Sequence, residues 1–335
     1  MQSRFHIGKR QVGEGAPAFL IAEAGSNHNQ KISRAKALID AAAASGADAV
    51  KFQLFNAEDL YSSEHPAFKT VKACEFPREW VKPLDRYAKK KKILFMATPF
   101  DRQAVDLLCA IGSPALKWGS SETTNLSLLK YAAAKNIPLL ISTGMCDMAD
   151  IYEAMEVVEE GGCDKAALLH CVSVYPAEAA EVNLRVMDSL RASFGVPVGF
   201  SDHTLGLAAP VAAAALGASV IEKHFTLDRK LKGPDHFYAL EPDELKQMVA
   251  MIRETESSLG SSVKRVLPLE KKWGRREGLY AARAISKGTK LTPADLRSAR
   301  PATGIRARYR GALTGFRAKK TIRKDQPLSW EDITG

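Results

Sequence analysis

The chain has 335 residues, enough for two domains or for one large domain with an appendage. Hydrophobic content of 46% and charged content of 26% are ordinary for a soluble globular protein, and no apolar run reaches the roughly 18 residues of a membrane span. Net charge is +10, which suits nucleic acid or an anionic small substrate; no RNP-like aromatic pattern or recognition helix accompanies it, so nucleic acid is set aside.

The opening stretch, MQSRFHIGKR, has no apolar core, so no secretory signal is expected. Cys74, Cys109, Cys146, Cys163 and Cys171 are odd in number and form no CxxC pair. That pattern fits free thiols in a reducing cytosol, so a cytoplasmic protein is expected. Residues up to Pro17 read as a short hairpin cap with Gly8, Gly13 and Gly15. An alternation then begins. Apolar strand candidates fall at 19–22, 49–52, 93–97, 115–118, 139–141, 167–169, 198–200 and 219–221. Helical runs lie between them, among them 33–44, 80–90, 104–111, 126–135, 148–160 and 207–215. Lys89 to Lys92 close one of these helices, where cations are favourable. The last helix, 242–259, opens on Pro242 with acidic residues in its first turn. Eight such units predict an α/β fold, a (β/α)8 TIM barrel, rather than an open doubly wound sheet. No GxGxxG or Walker pattern argues for a nucleotide-binding sheet.

The barrel is expected over 1–260. Residues 261–278 are rich in Ser, Lys, Arg and Glu and read as a linker. Residues 279–335 form short apolar runs broken by Gly288, Pro293, Gly304, Gly311, Gly315 and Pro327, which predicts a small β-rich module. Two phrases within it are alike: Ala284-Ile285-Ser286-Lys287-Gly288 and Thr321-Ile322-Arg323-Lys324-Asp325. Each precedes an aspartate, Asp295 or Asp332, which suggests a pseudo-symmetric pair.

In a (β/α)8 barrel the active site forms at the carboxyl ends of the strands. Here those ends carry Glu23, Lys51, Gln53, Thr98, Lys117, Ser120, Glu122, Ser142, His170, Ser173 and Tyr175. The last two strands add Ser201, Asp202, His203, Glu222, Lys223 and His224. His203 and His224 end neighbouring strands and can form a metal site, or can be two ordinary loop histidines. Lys51 and Lys117, with Ser120, Ser142 and Ser201, make a cationic, donor-rich pocket for phosphate and carboxylate. The bland alternative pairs these lysines with barrel carboxylates such as Glu23 and Glu122. Gly233-Pro234 forces a turn that places Asp235 over the barrel mouth, where a carboxylate can accept sugar hydroxyls, or else caps the last helix. His28, His170 and His236 read as packing or loop histidines.

Several motifs together resemble a known family. They are Ile21-Ala22-Glu23-Ala24-Gly25-Ser26-Asn27-His28, Lys51-Phe52-Gln53, Lys117-Trp118-Gly119-Ser120-Ser121-Glu122 and Ser142-Thr143-Gly144-Met145. His170-Cys171, Tyr175-Pro176, Gly199-Phe200-Ser201-Asp202-His203-Thr204 and Glu222-Lys223-His224-Phe225 follow in order. The set resembles the N-acetylneuraminate (sialic acid) synthase family, close to its spore-coat polysaccharide synthase branch. The C-terminal module resembles the antifreeze-like (SAF) domain of those enzymes.

The resemblance implies condensation of phosphoenolpyruvate with an open-chain N-acetylhexosamine such as N-acetylmannosamine. The products would be a nine-carbon 2-keto acid and phosphate. It further implies a divalent metal on His203 and His224, manganese in the first place, with magnesium or cobalt as alternatives. Glu23 would orient or deprotonate the attacking water. Lys51, Lys117, Ser120, Ser142, Ser173 and Ser201 would hold phosphoenolpyruvate. Gln53, Tyr175, Asp235 and Arg300 would hold the sugar. Arg300 would reach the barrel of a second copy in a domain-swapped homodimer. Two departures bear on specificity. Ser173 stands where the family often has Asn, and the loop at 56–72 is short. A 2,4-diacetamido-trideoxyhexose is an alternative acceptor. A Schiff-base aldolase built on Lys51 or Lys117 and a non-catalytic saccharide-binding protein are rival readings.

Overall fold

The computed structural model describes residues 1–335. The chain divides into two compact units, Met1–Gly260 and Ser261–Gly335. No helix is long and apolar enough to cross a membrane.

The first unit opens with an antiparallel hairpin, β1 (Arg4–Ile7) and β2 (Arg10–Gly13). Phe5, Ile7 and Val12 from this hairpin pack against the lower interior of the barrel, on Phe19, Ile21, Met96, Leu140 and Val220. The hairpin thus stoppers the end away from the strand C-termini.

Eight parallel strands follow: β3 (Phe19–Gly25), β4 (Ala49–Leu54), β5 (Leu94–Pro99), β6 (Leu116–Trp118), β7 (Leu139–Ser142), β8 (Ala166–Cys171), β9 (Val198–Asp202) and β10 (Val220–His224). Their order is β5-β4-β3-β10-β9-β8-β7-β6, so β10 returns beside β3. The ring is nearly closed; β5 and β6 adjoin without a hydrogen-bonded ladder. All eight expected strands are present, six of them running two or three residues further at their C-terminal ends. Each of those extensions opens on a polar residue (Glu23, Gln53, Thr98, His170, Ser201 or Glu222), which is where an apolar run ends.

Strand side chains alternate. One set faces the barrel interior, and the other packs under the helices in a continuous apolar layer. The helices begin where their capping chemistry says they should. Asp147 and Asp150 form a reciprocal capping box at Met148–Glu160, and Glu241 and Glu244 do so at Pro242–Leu259. The helix Val186–Phe194 and the short helices Ala57–Leu60 and Phe68–Lys72 lie outside the helical runs expected from the sequence.

The second unit has its own core of Leu279, Ile285, Leu291, Leu296, Ile305, Leu313, Ile322, Leu328 and Ile333. It contains two small antiparallel pairs, β11 (Gly278–Ala281) with β12 (Leu296–Ala299), and β13 (Arg317–Ala318) with β14 (Ile333–Thr334). The pseudo-symmetry has a structural counterpart. Ile285 and Ile322, equivalent in the two phrases, exchange both backbone hydrogen bonds at 2.9 and 2.8 Å. The stretch read as a linker differs from that reading. It carries the helix Pro268–Trp273, with Pro268 at its first turn and Glu270 capping the Leu267 amide, and it groups with the C-terminal unit.

Candidate active site

The strand C-termini surround a cavity of about 420 Å³. Its lining includes Glu23, Lys51, Gln53, Lys117, Ser120, Ser142, Ser173, Tyr175, Ser201, His203, His224 and Asp235. The barrel thus brings together twelve residues singled out from the sequence. Arg300, the thirteenth, belongs to the second unit and is exposed there.

Register explains the convergence. Glu23 on β3 lies opposite Lys51 on β4 and His224 on β10. Glu222 lies opposite Ser201, and Lys223 opposite Asp202. With a two-residue period, Glu222 and His224 face the cavity while Lys223 turns away. Ser201 and His203 likewise face in, and Asp202 faces out.

The charged floor is a chain of alternating signs. Lys51 Nζ lies 2.9 Å from Glu23 Oε2, donates to Thr98 Oγ1 at 2.9 Å, and lies 3.7 Å from Glu222 Oε2. Lys117 Nζ lies 3.5 Å from Glu222 Oε1 and donates to the Trp118 carbonyl at 3.1 Å. Ser201 Oγ donates to the same Glu222 oxygen at 3.1 Å. Glu222 is therefore the shared counter-ion of both lysines. The expected partner Glu122 is not; its carboxylate accepts from Ser121 Oγ at 2.7 Å instead. The geometry rejects that half of the bland pairing and replaces it with a residue given no role from sequence. The signal was available, because Glu222 precedes His224 by two on one strand.

Burial sets the protonation of these groups. Glu23 is pushed up to about 7 by burial, which outweighs the pull of Lys51. Burial alone would lower Lys51, but Glu222 and Glu23 on either side hold it above its ordinary value. Lys117 has only one close carboxylate, and burial holds it below the usual lysine range. For Glu222, burial is outweighed by Lys117 and Lys51, which keep it ionised.

Above this floor lie small donors. Ser142 Oγ is buried and lacks a hydrogen-bond partner, as does Glu222 Oε2. Gly144 N donates to Ser120 Oγ at 3.0 Å. A Cβ on Gly144 would fall 2.2 Å from Ser173 Oγ and 2.9 Å from Ser120 Oγ, so only glycine lets these hydroxyls close on the cavity. On the opposite side, Gln53 Nε2 donates to Glu23 Oε1 at 2.9 Å. Gly25, at φ +50°, would place a Cβ 2.7 Å from Asp235 Oδ2.

The two imidazoles sit 5.4 Å apart, centroid to centroid. His203 Nδ1 meets the Val172 carbonyl at 2.7 Å and must donate to it. Tyr238 OH donates to Asp235 Oδ1 at 3.2 Å and lies 3.2 Å from His224 Nδ1. Its single proton is thus committed to Asp235, and His224 Nδ1 becomes the donor to the tyrosine oxygen. His224 then presents an unprotonated Nε2, the tautomer a metal ligand requires. Burial would lower His203, but its contacts with Cys171 and the Val172 carbonyl hold it above the ordinary histidine value, so its Nε2 is free for a metal once that second proton leaves. Burial, with His203 beside it, also holds His224 well below the usual histidine range and therefore neutral. The pair fits a divalent ion, although no group of three or more His, Cys, Asp or Glu side chains surrounds one position. Tyr238, which orders this relay, carried no sequence signal beyond its neighbourhood to Asp235. Tyr175 packs its ring 4.1 Å from that of His203.

The other histidines have structural partners. His28 is buried against Phe76 and Trp80, His170 Nε2 meets the Val182 carbonyl at 2.6 Å, and His236 bridges Thr226 and Asn29 at 2.6 and 2.9 Å.

Residues 38–264 match the NeuB family, and residues 276–334 match the SAF domain. The chain is 39% identical to the N,N'-diacetyllegionaminic acid synthase of Legionella pneumophila, over 97% of both proteins. It superposes on the crystal structure of the spore coat polysaccharide biosynthesis protein spsE from Bacillus subtilis with a TM-score of 0.71, at 40% identity over 99% of both chains. The N-acetylneuraminic acid (sialic acid) synthetase of Leptospira borgpetersenii serovar Hardjo-bovis gives a TM-score of 0.77 at 35% identity, over 82% of this chain and 95% of that one. With a near-closed eight-stranded parallel barrel and these matches together, the chain belongs to the NeuB family of synthases and carries a C-terminal SAF domain.

Proposed function

We propose that the protein condenses phosphoenolpyruvate with an open-chain N-acetylated hexosamine, giving a nine-carbon 2-keto acid and phosphate. The observation that carries this reading is the anion seat. Two buried ammonium groups share the ionised Glu222 carboxylate, which is all that Lys117 has close by, beside a buried serine hydroxyl that has no partner. A buried ammonium whose one close carboxylate is 3.5 Å away and shared is costly unless a ligand supplies further negative charge. Phosphoenolpyruvate offers both a phosphate and a carboxylate to it.

In this reading Lys51, Lys117, Ser120, Ser142, Ser173 and Ser201 hold phosphoenolpyruvate with its methylene towards the sugar aldehyde. The methylene carbon forms a bond to the aldehyde carbon, whose oxygen takes a proton and becomes a hydroxyl. The adjacent enol carbon is left electron-poor, and a water molecule adds there. Glu23, poised near neutrality, takes that water's proton. The resulting tetrahedral centre expels phosphate and leaves the ketone. Gln53, Tyr175 and Asp235 orient the sugar. A divalent ion on His203 and His224, manganese in the first place, would polarise the aldehyde as a Lewis acid. Arg300 is exposed in its own unit, and we place it on the sugar's acyl group in the barrel of a second copy, in a domain-swapped homodimer.

The relatives are named for differently decorated products, N,N'-diacetyllegionaminic acid and N-acetylneuraminic acid. N-acetylmannosamine and a 2,4-diacetamido-trideoxyhexose are therefore the two acceptors to compare, each free and phosphorylated. Phosphate release from phosphoenolpyruvate with each sugar tests the reading; no release with any of them overturns it. The depressed Lys117 favours one second reading, a Schiff-base aldolase. Borohydride trapping with pyruvate, giving a stable lysine adduct, would select it.

A further inference from the structure

The structure assigns Lys223 a positioning role: its ammonium holds the Asp202 carboxylate and the Thr204 carbonyl, on either side of His203, and so sets the spacing of the two cavity imidazoles. This rests on the metal reading of His203 and His224 given above.

Lys223 and Asp202 are each 1% exposed and lie outside the barrel wall, under the helix layer. They are directly opposed in the β9–β10 register, on the last paired rung before the two histidines. Lys223 Nζ lies 2.6 Å from Asp202 Oδ2 and also donates to the Thr204 carbonyl. Asp202 Oδ1 accepts from Thr204 N at 2.8 Å. Residues 202 and 204 are thus tied to each other and to one ammonium, with His203 between them. That ammonium belongs to the residue immediately before His224. On the far side the His203 carbonyl accepts from Ala177 N at 3.0 Å. The loop carrying His203 has no freedom to slide relative to the strand carrying His224.

Stability alone gives no reason for this arrangement. A well-packed apolar pair of similar volume is commonly as stable as a buried ion pair, or more so. What the ion pair supplies and an apolar pair would not is direction: two acceptors flanking one histidine, gripped by one donor group. Supports of this kind around metal ligands typically change affinity by about 10–100-fold when removed.

The test is the double variant Asp202→Asn/Lys223→Met, which removes both charges and leaves neither unpaired. Purified apo wild type, the double variant, His224→Ala and Lys223→Arg are titrated with Mn²⁺ by calorimetry. Histidine-selective ¹⁵N spectra are recorded of each. The expected result is a folded double variant with a Mn²⁺ dissociation constant raised at least tenfold, and with His203 and His224 each exchanging between tautomers instead of holding one. Lys223→Arg, which keeps a multi-pronged donor, should recover most of the affinity. A folded double variant with wild-type affinity and fixed tautomers overturns the assignment. Unfolding of the double variant also overturns it, because the pair would then hold the barrel rather than the histidines. If wild type binds no Mn²⁺, the metal reading fails, and the tautomer spectra still decide the clamp.

Discussion

Lys51 Nζ stands 2.9 Å from Glu23 Oε2, and both side chains are closed off from solvent. The pairing does not keep Glu23 ordinarily acidic, because burial costs the carboxylate more than Lys51 returns. A carboxyl near neutrality can accept a proton from water and release it again. Glu23→Gln preserves the shape and leaves Lys51 its contact with Glu222. The variant should fold normally, with kcat lowered by about 10²–10⁴ and the KM for phosphoenolpyruvate little changed. Steady-state phosphate release checks it; a kcat within threefold of wild type removes Glu23 from the chemistry.

Glu222 gives a different outcome because two cations depend on it. Glu222→Gln leaves Lys51 with Glu23 and Lys117 with no close carboxylate. Removing one partner of a buried pair costs about 3–5 kcal/mol, so the melting temperature should fall by several degrees. An anion in the seat would replace the lost charge. Inorganic phosphate should therefore raise the melting temperature of Glu222→Gln by more than it raises that of wild type. Equal shifts in thermal scans would mean that phosphate binds elsewhere.

Much of this was legible in the sequence, and the reasons are specific. The eight strands showed because each is a short apolar run between helices, and a barrel then forces distant strand ends to meet. Glu23, Lys51, Lys117 and the two histidines stood out because charge at the end of an apolar strand is costly without a purpose. Glu222 and Tyr238 did not, because their roles are relational. Glu222 matters through two lysines from other strands, and Tyr238 through its single proton, committed to Asp235. The helix Pro268–Trp273 was hidden by polar composition, since only its capping residues mark it.

In the proposed arrangement of substrates, two glycines would lie one on each side. Gly144→Ala would drive a methyl group into Ser173 and Ser120, on the side proposed for phosphoenolpyruvate. Gly25→Ala would drive one into Asp235 on the sugar side and would also strain a positive φ, at about 1–2 kcal/mol. Gly144→Ala should raise the KM for phosphoenolpyruvate at least tenfold and spare that for the sugar. Gly25→Ala should do the reverse. Bisubstrate kinetics on both variants read the split; if both move the same KM, the division of the cavity is wrong.

The proposed swapped homodimer would make each site depend on Glu23 from one copy and Arg300 from the other. Arg300→Ala should raise the sugar KM, and Glu23→Gln should lower kcat. Co-refolding the two variants creates mixed dimers with one intact site each. At low sugar, activity should return to about a quarter of wild type, since half of the dimers are mixed and half of their sites are whole. No recovery would place both residues in the same copy.

The SAF unit should carry its own acid limit. Asp295 accepts from Thr292 N at 2.8 Å, Thr292 Oγ1 at 2.7 Å and Arg283 Nε at 2.6 Å. Asp332, its pseudo-symmetric counterpart, accepts from Ser329 N at 2.7 Å and lies 2.7 Å from Lys320 Nζ. Burial would raise both carboxyls, but these partners outweigh it and hold both below the usual aspartate range. A carboxyl depressed in the folded state stabilises the fold above its unfolded pKa, and that stability is lost as pH falls through the folded value. Residues 279–335 should therefore loosen below about pH 4 and stay unaffected by titration from there to neutrality. Asp332→Asn should weaken the unit at pH 7 and flatten its acid response. Hydrogen exchange of peptides from 279–335, corrected for the intrinsic rate at each pH, measures both effects. An unchanged acid response in Asp295→Asn/Asp332→Asn would show that other groups set the limit.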